Sequence, residues 1–150
     1  MKALRIHAGP LAYQHLAQRG LQPSDVGVVP AAAGGPKGLI LGPLDRFLFG
    51  QWLPQSAQPV HLVGASIGAW RMATACLNDP VAALQRLEDA YVRQHYEVPP
   101  GKKRPPASPV TELFGQLLQR LSAGRVAAVL HPPRYTLPVI AARTRPALAR

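Results

Sequence analysis

The chain has 150 residues, 47% of them apolar, with 17 Lys and Arg against 7 Asp and Glu, for a net charge of +10. That length holds one domain with a sizeable core, and that composition excludes a disordered chain. The basic residues are spread out with no aromatics interleaved, which argues against nucleic acid as a partner, and no apolar run reaches the length of a membrane span. With no apolar h-region at the N-terminus, a cytoplasmic protein is expected, in peripheral contact with a membrane at most. The single cysteine, Cys76, excludes an internal disulfide and is read as a small core residue.

In chain order, Leu4–Ala8 reads as a short first strand. Pro10 suits the first turn of a helix running to Arg19, with Gly20 as its C-terminal cap. Pro23-Ser24-Asp25 is a turn, and the short apolar run Val26–Ala33 reads as a buried strand. It delivers the chain to Gly34-Gly35-Pro36-Lys37-Gly38. Leu39, Ile40, Leu44, Phe47 and Leu48 then recur at helical spacing, with Pro43 about one turn in and Gly50 as the stop. Val60–Ala65 is a second strand, followed by Ser66 and a helix to Leu77. This strand–helix–strand–helix order predicts parallel pairing.

Asn78-Asp79-Pro80 breaks the chain and starts another helix, with Asp79 as N-cap and Leu84, Leu87, Tyr91 and His95 on one stripe. Pro99 to Pro109 reads as a loop carrying Lys102, Lys103 and Arg104. Ser108-Pro109 opens a helix with Leu113, Phe114, Leu117, Leu118 and Leu121 facing inward, and Val126–Leu130 and Thr136–Ala142 read as strands. From Leu113 to Arg150 there are six arginines and no acid, so the chain is expected to be cut within a domain.

Two stretches carry chemistry. The first is Gly64-Ala65-Ser66-Ile67-Gly68, a G-x-S-x-G motif between an apolar strand and a helix. A nucleophile elbow needs this layout: small neighbours let strand and helix pass closely, the serine hydroxyl is exposed at the tip, and the following amide, here Ile67, points at a developing oxyanion. The second is Gly34-Gly35-Pro36-Lys37-Gly38, where glycines let backbone amides converge on an anion. It is not a P-loop, because Gly38 follows Lys37 where Ser or Thr is required, and it fails as a dinucleotide fingerprint because Ala33 stands at the first glycine. Both loops leave one edge of a parallel sheet, so the first can supply donors to a carbonyl attacked by Ser66.

This pair, in this order and spacing, resembles the patatin-like phospholipases over Val26 to Leu77, about a third of the chain. Gly34–Gly38 is similar to that family's glycine-rich oxyanion loop with its basic residue, and Gly64–Gly68 to its elbow. The resemblance implies a three-layer α/β/α sandwich with a mainly parallel sheet. It implies a lipid acyl hydrolase, acting on phospholipids or other fatty-acyl esters without metal or cofactor. Ser66 would be the nucleophile. The amides around Gly34, Gly35 and Gly38 in the loop with Pro36 and Lys37, joined by that of Ile67, would form the oxyanion hole. Lys37 would orient the loop or meet an anionic headgroup.

Two positions depart from the family pattern. Ala33 replaces the loop's first glycine, and no Asp-Gly occurs anywhere, so the family's dyad aspartate would lie beyond Arg150. Two rivals stand beside this reading. One is a Ser-acid-His α/β-hydrolase, for which Asp79 or Asp89 with His131 is the formal choice. The other is an inactive binding module whose glycine loop holds an anion and whose Lys102, Lys103 and Arg104 meet an acidic membrane. His7, His15 and His61 show no metal-ligand spacing, so no metal is expected.

Overall fold

The computed structural model describes residues 5–143, except 123 and 125, and for 121 and 122 the backbone alone. The fold is α/β. Helix α1 spans Pro10–Arg19 and ends as expected, with Gly20 at φ +72° donating its amide to the Leu16 carbonyl at 2.8 Å. Strand β1 is Val28–Ala31 and strand β2 is Val60–Ala65, paired in parallel with Val28 beside His61 and Ala31 beside Gly64. Two short strands, β3 (Tyr135–Thr136) and β4 (Val139–Ile140), both pair in parallel with the other side of β2. The expected strand over Thr136–Ala142 is therefore interrupted, at Leu137-Pro138, where the ring removes a ladder donor. Pro138 still accepts a hydrogen bond from the Gly64 amide at 3.0 Å.

Between β1 and β2 the chain is helical but not uniform. A 3-10 helix covers Gly35–Leu41, α2 covers Gly42–Phe47, and a wider π turn covers Leu48–Trp52. Gly50 does not stop this helix. Its missing side chain admits Val81, whose Cγ2 would lie 2.3 Å from a Cβ at that position. Helix α3 spans Ile67–Ala75, and α4 spans Pro80–Val92 with the Asp79 carboxylate accepting the Ala82 amide at 3.1 Å. Two short 3-10 turns, Pro23–Asp25 and Leu53–Gln55, and helices α5 (Ala107–Ser122) and α6 (Val126–Leu130) complete the described elements.

The core lies on one face of β2. Val60 and Leu62 pack there with Ala31, Phe49, Leu53, Met72, Ala75, Cys76 and Leu84, so the π turn, α3 and α4 all cover that face. The alternate residue His61 is exposed on the opposite face, beside Thr136, to whose hydroxyl its Nδ1 is hydrogen-bonded. Among the described residues the main core thus covers this one face of the sheet. Parallel sheets are ordinarily covered on both faces.

Several expectations are corrected. Residues 5–8 form no strand; they are exposed and unpaired, and Leu4 lies outside the described residues. Val126–Leu130 is helical: five apolar residues carry no period that separates helix from strand, and no neighbouring strand pairs with them. His95 falls beyond the end of α4 and off its stripe, where Leu84 and Leu87 are buried. On α5 only Leu117 is buried and Phe114 half-buried. Leu113 and Leu118 are exposed because α4 touches one narrow side of the helix, and the Leu121 side chain lies outside the description.

Candidate active site

Ser66 lies between β2 and α3 with φ +52° and ψ −126°, and it is the one non-glycine residue with positive φ among the described residues. Such a backbone is sterically disfavoured for any residue with a Cβ, and it persists only when the surroundings over-determine it. The surroundings here are glycine contacts. A Cβ at Gly64 would lie 2.4 Å from the Cα of Ala69, and one at Gly68 would lie 2.0 Å from the carbonyl oxygen of Ala31. Neither contact can yield, because both partners are backbone. The two glycines of the motif let α3 turn back tightly over β2 and across the end of β1.

The turn leaves Ser66 exposed at its tip. Its hydroxyl makes no hydrogen bond among the described residues, and it does not cap α3. The first amides of a helix lack intrahelical acceptors. In α3 the first loop-to-helix bond is from Trp70 back to the Ser66 carbonyl at 3.2 Å, so the Ile67 amide stays available at the positive end of the helix. The Ile67 side chain is buried and turned toward the glycine loop, where its Cγ2 would lie 2.7 Å from a Cβ at Gly38.

That contact seats the glycine loop against the elbow. Gly34 is extended (φ −179°) and Gly35 takes φ +53°, a conformation that favours glycine. The Lys37 amide is turned inward to the Gly34 carbonyl at 3.3 Å, Pro36 has no N–H, and Gly38 lies within the 3-10 helix, so the donors left at the mouth of the loop are the amides of Gly34 and Gly35. The Lys37 side chain is exposed and takes part in no ion pair among the described residues.

Behind the two loops lies a feature that the sequence pattern did not announce. Arg71, five residues after Ser66, is 6% exposed and makes a two-pronged ion pair with Asp45, which is 3% exposed. Arg71 Nε donates to Asp45 Oδ2 at 2.6 Å and Nη2 to Oδ1 at 2.7 Å. The pair ties the helix that follows the glycine loop to the helix that follows the elbow. A second pair, Arg46 with Glu88, joins α2 to α4, and Glu88 comes so near Gly42 that a Cβ there would lie 2.8 Å from its carboxylate. The available signal was Arg71 as the one charge in the run Ile67–Leu77, with Asp45 and Arg46 adjacent in the run Leu39–Phe49.

The other acids and histidines lie elsewhere. Tyr135, at the start of β3, is paired with Val60 at the start of β2, so His131 precedes the strands at the edge opposite Ser66. Six residues of β2 separate the two edges by ~20 Å. Asp79 faces the same far edge, lining a cavity with Pro132, Pro133 and Arg134. Asp89 is exposed on α4 and bonded to Gln85 at 3.3 Å. The topology therefore does not bring Asp79 and His131 to Ser66. Lys102, Lys103 and Arg104 are exposed in the loop between α4 and α5. Among the described residues no group of three His, Cys, Asp or Glu side chains is placed to hold a metal ion, and no helix is long and apolar enough to cross a membrane. Comparison of the chain with family models, with curated proteins and with solved structures finds no match in any of the three.

Proposed function

We propose that the chain carries the nucleophile and oxyanion half of a patatin-like serine acyl hydrolase, a phospholipase or esterase, on the three-layer fold of that family. The observation that carries this reading is the backbone of Ser66. A lone serine is held at positive φ on an exposed tip, between a parallel strand and a helix, with glycines on both sides making room for it. Strain of this kind, about 1–3 kcal/mol, is retained where a function uses it.

In the proposed reaction Ser66 Oγ attacks the carbonyl carbon of a fatty-acyl ester, as in a phospholipid. The oxyanion forms between the Ile67 amide and the glycine amides of the Gly34–Gly38 loop, which need no reorganisation as charge develops. The tetrahedral intermediate expels the alcohol, leaving an acyl-serine, and water then releases the fatty acid. No metal or cofactor is called for. The Ser66 proton has to pass to a base, and no described residue is hydrogen-bonded to the hydroxyl.

That last observation favours a second reading, an inactive module in which the same glycine loop and the exposed Lys37 bind an anionic headgroup at a membrane surface. A fluorescent fluorophosphonate separates the two. Labelling of the chain that disappears in Ser66→Ala supports the hydrolase. A folded protein that takes no label even when extended with the downstream reading frame refutes it and leaves the binding module.

A further inference from the structure

A cavity of about 470 Å3 lies between α4 and α5, and no residue of the elbow or of the glycine loop lines it. Its volume is that of a small-molecule site. Arg86 and Arg93 line it from α4, on one face of that helix with Ala90 between them, and Arg120 lines it from α5. Leu117, which is buried, and the half-buried Ala90 form its apolar floor. No Asp or Glu side chain is part of the lining. The carboxylates of the same two helices are engaged elsewhere. Glu88 is paired with Arg46, Asp89 is bonded to Gln85 at 3.3 Å, and Glu112 accepts the Ser108 hydroxyl at 3.0 Å. Arg86, Arg93 and Arg120 take part in no ion pair among the described residues. Three guanidiniums thus share one concave space without a counter-charge from the protein, and they repel one another until an anion enters. Gln94, also in the lining, takes the Tyr96 hydroxyl on its Oε1 at 2.7 Å, which leaves its amide N–H groups to donate.

We propose that this cleft binds a phosphate group of two or more negative charges, a phosphomonoester or a diphosphate, carried by a small organic molecule or by a lipid headgroup. Guanidinium meets phosphate oxygens in pairs, and the lining holds three arginines and no lysine. A carboxylate brings one charge and two oxygens, enough for a single guanidinium. A phosphomonoester brings about −1.5 to −2 charges and three oxygens, which three guanidiniums can share. The floor of Leu117 and Ala90 takes the carbon part of the ligand. The site rests on its own residues and stands whether or not Ser66 is a nucleophile.

Calorimetric titration of the full chain with inorganic pyrophosphate, at about 0.15 M salt so that exposed charges are screened, tests the site. The expected result is saturable one-to-one binding, at least tenfold tighter than that of citrate, whose charge comes from carboxylates. Arg86→Gln, Arg93→Gln and Arg120→Gln should each weaken it at least tenfold with circular dichroism unchanged, because all three side chains are exposed. Lys102→Gln with Lys103→Gln, which removes more charge from an exposed loop, should change it less than twofold. No saturable binding, citrate bound as tightly, or equal weakening by the lysine pair overturns the site. Binding lost in Lys37→Gln and intact in the arginine variants puts the anion at the glycine loop and overturns it as well. Phosphatidylcholine vesicles with and without phosphatidic acid then identify the carrier. Sedimentation with the acidic vesicles alone, lost in Arg120→Gln, places the phosphate on a lipid. No sedimentation, or sedimentation that survives Arg120→Gln, places it on a soluble molecule, and either result upholds a site that binds pyrophosphate.

Discussion

Replacing Arg71 with methionine is expected to cost about 3–5 kcal/mol, because it strands the Asp45 carboxylate inside the protein. Asp45 is 3% exposed, and both of its oxygens are bound by the same guanidinium, at 2.6 and 2.7 Å. Once that partner is gone, water cannot take its place without opening the contact between α2 and α3. The loss is about a fifth or more of the stability of an ordinary domain, roughly 5–15 kcal/mol. The double variant Asp45→Leu with Arg71→Met removes both charges and leaves side chains of similar volume, so it should return to within about 1 kcal/mol of the parent. Urea unfolding of the parent, both single variants and the double variant closes the cycle. A loss below about 1 kcal/mol in Arg71→Met, or a double variant as unstable as the sum of the singles, would refute the claim that a buried pair holds these helices together.

Three further outcomes follow from the elbow and its surroundings. Ser66→Gly should raise stability by about 1–3 kcal/mol in urea unfolding while abolishing labelling, because glycine relieves the positive φ; Ser66→Ala, which keeps the Cβ, should abolish labelling without that gain. Gly68→Ala should reduce the folded fraction sharply, since its methyl would sit 2.0 Å from the Ala31 carbonyl oxygen; circular dichroism near that of the parent would contradict the contact. Burial pushes the Cys76 thiol up from 9.0 to about 11, so iodoacetamide should modify it slowly in the folded protein at pH 9 and rapidly in urea. The sign follows from linkage: a folded pKa above the unfolded one makes this group's contribution to stability complete below pH 9 and lost as pH rises toward 11.

What was legible in the sequence is what short-range chemistry dictates. Gly20 caps α1 and Asp79-Pro80 opens α4 because a cap is made by residues within one turn of it. The G-x-S-x-G spacing of Gly64, Ser66 and Gly68 marks a strand-to-helix turn locally, whereas the contact of Gly68 with the Ala31 carbonyl is set by the fold. Gly50 was misread because glycine has two uses. It breaks a helix by its freedom and tightens one by its small size, and only the arrival of Val81, thirty-one residues later, decides between them. Val126–Leu130 shows the same limit, since its helix or strand state depends on what lies alongside. Asp45, which adjoins Arg46, and Arg71 carry no local sign of their pairing, since nothing in either run names the other as its partner. Pairing across 26 residues is a property of the fold.

The same contacts explain why the strain at Ser66 survives folding. The first turn of α3 is held on three sides: Gly68 lies on the carbonyl end of β1, Ala69 on Gly64 of β2, and Ile67 on Gly38 of the loop. Each contact comes from a different segment, and those with β1 and with the glycine loop require β1 and β2 to be adjacent and parallel, as the register from Val28–His61 to Ala31–Gly64 makes them. Asp45 and Arg71 then tie the two helices together within their spans, which opposes the sliding that would let Ser66 relax. For Ser66 to leave positive φ, α3 would have to lift from the end of β1 and part from the glycine loop at Gly38 together. The elbow and the glycine loop are therefore one mechanical unit. Substitutions at Gly38, Gly68 or Arg71, none of them the serine itself, should all disturb Ser66 labelling, and in parallel with stability.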